Sequence, residues 1–217
     1  MDELHGFCVR LLGHGEAADA AQRAGRDAAQ GDRLRALAAA AAACREQLPA
    51  GEAEGLHEPA APGEPADDAG EAGSLAEAVA REVAHATAQL PERQREALAL
   101  RDLLGLPYDE IGPVVGLDSS AVGLLLARAR LRFRVALRGE GVPMPSCDER
   151  ERALRTIARR QDGEPVTDAD EDWLIEHLGH CVGCARAHST MLEASACYRA
   201  WRFDEAEAAP VGADAPS

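Results

Sequence analysis

An all-α fold is what the amino-acid sequence predicts, and three observations predict it. Of the 217 residues 46% are apolar but only 3% aromatic, and alanine makes up much of the apolar share. Such a composition favours helices with small Ala- and Leu-lined contacts over sheets of Val, Ile and Tyr. Apolar residues recur at helical spacing in several separate stretches. In the middle of the chain a short apolar stretch, a glycine and a longer apolar stretch follow one another as in a helix-turn-helix. The length suits one or two small domains and is too short for a large catalytic core.

Residues 1–48 read as two or three helices, with Leu4, Phe7, Leu11 and Leu12 at helical spacing and an Ala-rich stretch from Leu34 to Leu48. Residues 49–74 are rich in Pro, Gly and acid with almost nothing to bury, the composition of a disordered linker. Residues 75–140 form the helix-turn-helix block. Leu75 to Leu90 is an amphipathic helix, and Pro91 opens the next one at its first turn. That helix carries Leu98, Leu100, Leu103 and Leu104 and stops at Gly105. Pro107 starts a short third helix with Ile111, Val114 and Val115 inward, and Pro113 inside it removes a donor and bends it. Gly116 supplies the turn, Asp118 or Ser119 caps the last helix, and Val122, Leu126, Ala129 and Phe133 make its buried stripe. In this geometry the second helix of the motif lies in a major groove. Residues 147–202 form another helical block, and 203–217 a disordered tail.

A net charge of −15 opposes contact with nucleic acid. The charge is segregated, however: 49–74 holds seven acids and no Arg, whereas 121–138 holds five Arg and no acid. All 23 basic residues are Arg, which with the Ala and Gly excess reads as the codon bias of a GC-rich genome. The first residues lack the long apolar core of a signal peptide, and no stretch approaches the roughly 20 apolar residues that cross a bilayer. The expectation is therefore a cytoplasmic protein without a membrane partner, whose cysteines stay reduced. A Gly-rich phosphate loop, a G-x-S-x-G and an H-E-x-x-H are all missing from the sequence, so no enzyme is expected.

His177, Cys181 and Cys184 form an H-x-x-x-C-x-x-C pattern. Positions four apart share a helix face, and zinc takes four N or S ligands in a tetrahedron. Cys147 is preferred as the fourth ligand over His188, four residues past Cys184. His180 points away from His177. Asp168, Asp170, Glu171 and Asp172 read as helix-start charges, Cys8 and Cys44 as ordinary buried cysteines, and Cys197 as buried or a free thiol.

The run LPERQREALALRDLLGLPYDEIGPVVGLDSSAVGLLLARARLRFR resembles region four of the extracytoplasmic-function sigma factors. Tyr108, Glu110, Ile111, Val122, Leu126, Arg128, Ala129 and Arg130 carry the match. The resemblance implies a −35 promoter element bound through the last helix and contact with the RNA polymerase core. Ser119, Ser120, Arg128, Arg130, Arg132 and Arg134 are the candidate DNA-binding residues. Directly after Val122, family members place polar or basic residues, whereas this chain has Gly123, Leu124 and Leu125; leucine makes no hydrogen bonds to base edges. Either Leu124 and Leu125 enlarge the core or they form an exposed apolar patch on which a protein surface docks, and docking is preferred because Val122 and Leu126 already supply the inward stripe. The arginines either grip phosphates, giving weak salt-sensitive binding, or form a solvated face.

Residues 7–26 faintly resemble region two of the same sigma factors, with only Phe7 as a π-face for a flipped base. The segment around H-x-x-x-C-x-x-C, with Cys147 upstream and the acidic break DGEPVTDADED between, resembles the zinc-binding anti-sigma domain. These resemblances imply a sigma-factor-like regulator with a degenerate region two and a fused zinc domain that folds back on the helix-turn-helix, landing on Leu124 and Leu125. The other reading is an anti-sigma-like adaptor that binds a sigma factor, polymerase or another regulatory protein without reading DNA.

Overall fold

The computed structural model of the chain is described for residues 3–13, 15–47, 75–139 and 145–200; the expected linker 49–74 and tail 203–217 lie outside the described residues. The described residues are helical with no strand, as composition and spacing predict. The first block is three helices, α1 (Glu3–Leu12), α2 (Glu16–Ala29) and α3 (Arg33–Gln47). α2 and α3 form a tight hairpin: a Cβ on Gly25 would sit 2.8 Å from the Ala36 carbonyl oxygen, so only glycine lets the helices meet there.

The middle block comprises α4 (Leu75–Ala88), α5 (Glu92–Leu98) running into a π-helical turn (Ala99–Leu103), α6 (Tyr108–Val115) and α7 (Ser119–Arg138). Pro91 and Pro107 are the residues before α5 and α6, both extended, so their missing N–H groups cost no helical hydrogen bond. Pro113 is exposed within α6, which continues to Val115. Gly116 then turns the chain in the left-handed region at φ 70°, where L side chains are strained. α6 and α7 meet at 83°, the corner of a helix-turn-helix. Among the described residues no single helix is long and apolar enough to cross a membrane. The last block is α8 (Arg150–Gln161), α9 (Asp168–His180) and α10 (Val182–Ala200). Thr167 caps α9 by accepting from the Asp170 N–H, and Asp168, Asp170 and Glu171 fill its first turn, favourable to the macrodipole.

α7 is the wall that three cores share. Val122, Leu125 and Leu126 join Leu4, Phe7, Leu37, Ala40 and Cys44 of the first block. Ala127 and Leu131 join Leu154, Ile157, Leu174, Cys184 and Met191 of the last block, with Leu124 half-buried against them. Ala129 and Phe133 join Val83, Leu90, Leu98 and Tyr198, and the Phe133 and Tyr198 rings meet edge to face at 5.5 Å. A helix apolar on all sides is one that is buried on all sides, which accounts for the run Gly123-Leu124-Leu125-Leu126. The expectation of an exposed docking patch is corrected at Leu125, which is only 6% exposed and belongs to the core; Leu124 is half-buried against the last block of the same chain, the block expected to land there.

Polar contacts tie the first block to the other two. Arg45 of α3 donates two hydrogen bonds of 2.9 Å to the Glu96 carboxylate of α5, and Arg10 of α1 donates to the Tyr198 carbonyl and lies over its ring. Cys8 and Cys44 are both fully buried, and the hydrogen bond between their thiols together with burial pushes the Cys44 thiol up. Burial also raises Glu96 to about 7, against the pull of Arg45. Because the folded protein then holds this proton more tightly than the unfolded chain, the contribution of Glu96 to stability is full below about pH 4.5 and is lost as pH rises through about 7. The shift is worth roughly 3 kcal/mol. Thermal unfolding from pH 5 to 8 should show this decline, and Glu96→Gln should flatten it.

Candidate metal centre and covered recognition helix

The bend between α9 and α10 brings together the residues that could hold a metal ion. His177 lies in the last turn of α9, Cys181 is the extended residue that ends it, and Cys184 sits in the first turn of α10. Cys147, ahead of α8, completes the group: one ligand atom from each of the four residues lies within 4.8 Å of the others. Cys147 Sγ is 3.5 Å from Cys184 Sγ and 3.7 Å from His177 Nε2. Ligands 2.3 Å from a tetrahedral ion would stand about 3.8 Å apart, so the three thiols and one imidazole fit zinc in number, type and spacing. Backbone N–H groups of Cys184 and Gly183 at the start of α10 hold the Cys181 thiol below its usual range, while burial raises that of Cys184. The Trp173 ring stacks on His177 at 4.9 Å, and the Arg152 guanidinium lies 3.9 Å over Trp173. His188 stands outside this group, and His180 is exposed with Nδ1 on the Glu176 carbonyl. Cys197 is half-buried against Phe133 and its neighbours.

The last block packs its first helix directly on the N-terminal half of α7. A Cβ on Gly123 would lie 3.3 Å from the Arg155 carbonyl oxygen and 3.2 Å from the Tyr108 ring, so the absence of a side chain lets α8 approach. Gly123→Gln should therefore push α8 off α7, lowering the melting temperature by several degrees and making α8 cleavable by trypsin at its arginines.

Below this contact lies a buried ionic cluster. Arg130 of α7 is 0% exposed. Its Nε and Nη2 donate to Asp102 of the π-helical turn at 3.2 and 2.8 Å, and its Nη1 and Nη2 donate to Asp162, just after α8, at 3.0 and 2.8 Å. Burial alone would lower the Arg130 pKa, but Asp102 and Asp162 more than offset it and hold the guanidinium charged. Tyr108 donates its hydroxyl to Asp162 at 2.6 Å and its backbone N–H to Glu164 at 3.0 Å, and Arg101 donates to the Asp162 carbonyl. Ser195 of α10 donates to Asp102 and accepts from Gln161 of α8. Tyr108 is pushed above its usual range by burial and by Asp162, so it remains a donor.

The candidate DNA-binding residues thus part company. Ser119 and Ser120 are exposed in the first turn of α7. Arg128 pairs with Glu151 at 2.9 Å and Arg134 with Glu193 at 3.2 Å, both partners belonging to the last block. Arg132 is half-buried. Arg130 is the correction: a guanidinium enclosed by two carboxylates reaches no phosphate. Asp102, Asp162, Glu164 and Arg101 went unnoticed in the sequence, where Asp162 and Glu164 read only as part of an acidic break.

This geometry defines the protein's middle as a helix-turn-helix whose second helix carries a neighbouring block. Residues 80–133 match the family model described as sigma-70, region 4, which takes in most of α4 and all of α5 and α6 and runs to Phe133 of α7. The chain therefore contains a segment similar to region 4 of the sigma-70 factors. No curated protein and no solved structure matches the chain.

Proposed function

We propose that this chain is a sigma-factor-like transcription regulator that engages the RNA polymerase core and promoter DNA through α4–α7. Its zinc-binding last block holds the recognition helix covered. The supporting observation is the seating of α8 on α7: Gly123 and Leu124, where base contacts belong in the family, lie under the last block, and Asp162 of that block grips Arg130. The zinc is held by Cys147, His177, Cys181 and Cys184, and a closed set of four ligands leaves no open position for substrate. In that role the protein works in the cytoplasm, and its zinc shapes the block that sits on α7.

The test is retention of core polymerase on the immobilised, zinc-loaded protein, followed by run-off transcription. Retention with promoter-dependent transcripts once α7 is uncovered, for example in Asp162→Ala, supports the reading. A protein that neither retains polymerase nor yields a transcript in any variant refutes it. The covered face favours a second reading, an adaptor that binds polymerase or a sigma factor without reading sequence. Retention of polymerase without promoter-dependent transcripts in any variant selects that one.

A further inference from the structure

The arginines of α7 are largely engaged, yet a second basic face stands open beside them. Residues 150–161 hold five Arg and one Glu in a chain of net charge −15. Arg152, Arg155 and Arg159 fall on one side of α8 and, with Thr156, Thr167 and Asp170, line a cleft of about 520 Å³. Only Arg152 has a carboxylate partner in that cleft, Asp170 at 2.9 Å. Arg159 donates to the Pro165 carbonyl and lies 5.7 Å over the Tyr108 ring. Arg155 is exposed and has no carboxylate partner among the described residues. Among the described residues, three guanidiniums facing one carboxylate leave the cleft with an excess of positive charge.

The position of this stripe names its partner. Arg155 packs beside Gly123, one turn from the exposed Ser119 and Ser120, and Arg159 lies over Tyr108, the first residue of α6. It therefore runs beside the first turn of α7, which carries no acid and whose exposed Ser119 and Ser120 sit at a helix end that favours anions. From Arg152 to Arg159 the axis of α8 rises about 10 Å, the rise of roughly three phosphates along one strand of a duplex.

We propose that α8 of the zinc-binding block is a phosphate-contacting surface for duplex DNA, with Arg155 and Arg159 gripping one backbone strand beside the first turn of α7. It rests on the reading of α4–α7 as a DNA-associated segment. It adds that the covered state holds DNA without reading bases, through the block that covers the reading helix.

The experiment is fluorescence anisotropy of a labelled duplex of about 20 base pairs with the full, zinc-loaded chain, over salt from about 50 to 200 mM. Polymerase is left out, so the result stands apart from retention of polymerase. Binding should be equal for unrelated sequences. Arg155→Ala should weaken it several-fold and make the slope of log affinity against log salt shallower by about one. Arg155→Glu should weaken it further, with Arg138→Ala, at the far end of α7, as the unaffected control. Arg155 is exposed, so unchanged thermal unfolding certifies each variant. Three outcomes overturn the proposal: no duplex binding at about 50 mM salt, duplex binding indifferent to Arg155→Glu, and an acidic polypeptide such as polyglutamate bound as tightly as the duplex. The last would assign the stripe to an acidic protein partner instead.

Discussion

Asp162→Ala is expected to lose about 3–5 kcal/mol of stability, the usual cost of stripping one partner from a buried ion pair. Asp162 accepts two hydrogen bonds from the fully buried Arg130 and one from the Tyr108 hydroxyl, so its removal orphans donors on two elements at once. Asp102 still faces Arg130, and that remaining carboxylate keeps the guanidinium charged inside the protein. The cheapest relief is separation of α8 from α7, which lets water reach Arg130. Hydrogen exchange should therefore rise first in α8 and the N-terminal half of α7, while α2 and α3 stay protected. Uniform loss of protection over all helices would mean that the cluster holds the whole fold and not this one contact. Asp162→Asn should cost less, because the amide oxygen still accepts from Arg130.

Loss of the metal should have the second large effect. Cys184→Ser or Cys147→Ser should abolish stoichiometric zinc, measured in the purified protein, and melt the last block. Structural zinc contributes roughly 10–16 kcal/mol of apparent binding energy in small domains. His188→Ala should keep its zinc, since His188 lies outside the four-residue group. The damage should spread along α10. Its far end packs Tyr198 against Phe133 and holds Arg10 of α1, so metal-free protein should lose protection in α1 as well. Zinc retained by Cys147→Ser would move the fourth ligand elsewhere.

Much of this was legible in the residues. Prolines 91 and 107 and Gly116 mark the helix starts and the turn because their φ values leave few alternatives. The spacing of His177, Cys181 and Cys184 suggests a shared site, but they straddle the bend between α9 and α10 instead of lying on one helix face. What the sequence does not carry is partnership between distant residues. Arg130 looks like its neighbours Arg128 and Arg132, and only the fold brings Asp102 and Asp162 to it from 28 and 32 residues away. The same holds for Gly123 and Leu124, whose departure from a DNA-reading pattern becomes intelligible once α8 lies against them. The π-helical turn at Ala99–Leu103 had no signal in the apolar spacing, which reads as continuous helix. Its buried Asp102, facing Arg130, is the visible consequence of that local winding.

The sharing of α7 among three cores bears on how the chain is made. During synthesis α1–α3 leave the ribosome before α7, with Leu4, Phe7 and Leu37 uncovered, because the residues that close over them include Val122, Leu125 and Leu126. Arg10 waits longer still, for a carbonyl 188 residues downstream. A nascent chain of this design passes through a long interval in which its apolar faces are open to chaperones and to each other. The aggregation risk therefore lies in incomplete chains more than in the finished protein, and translational pausing before α7 should raise it.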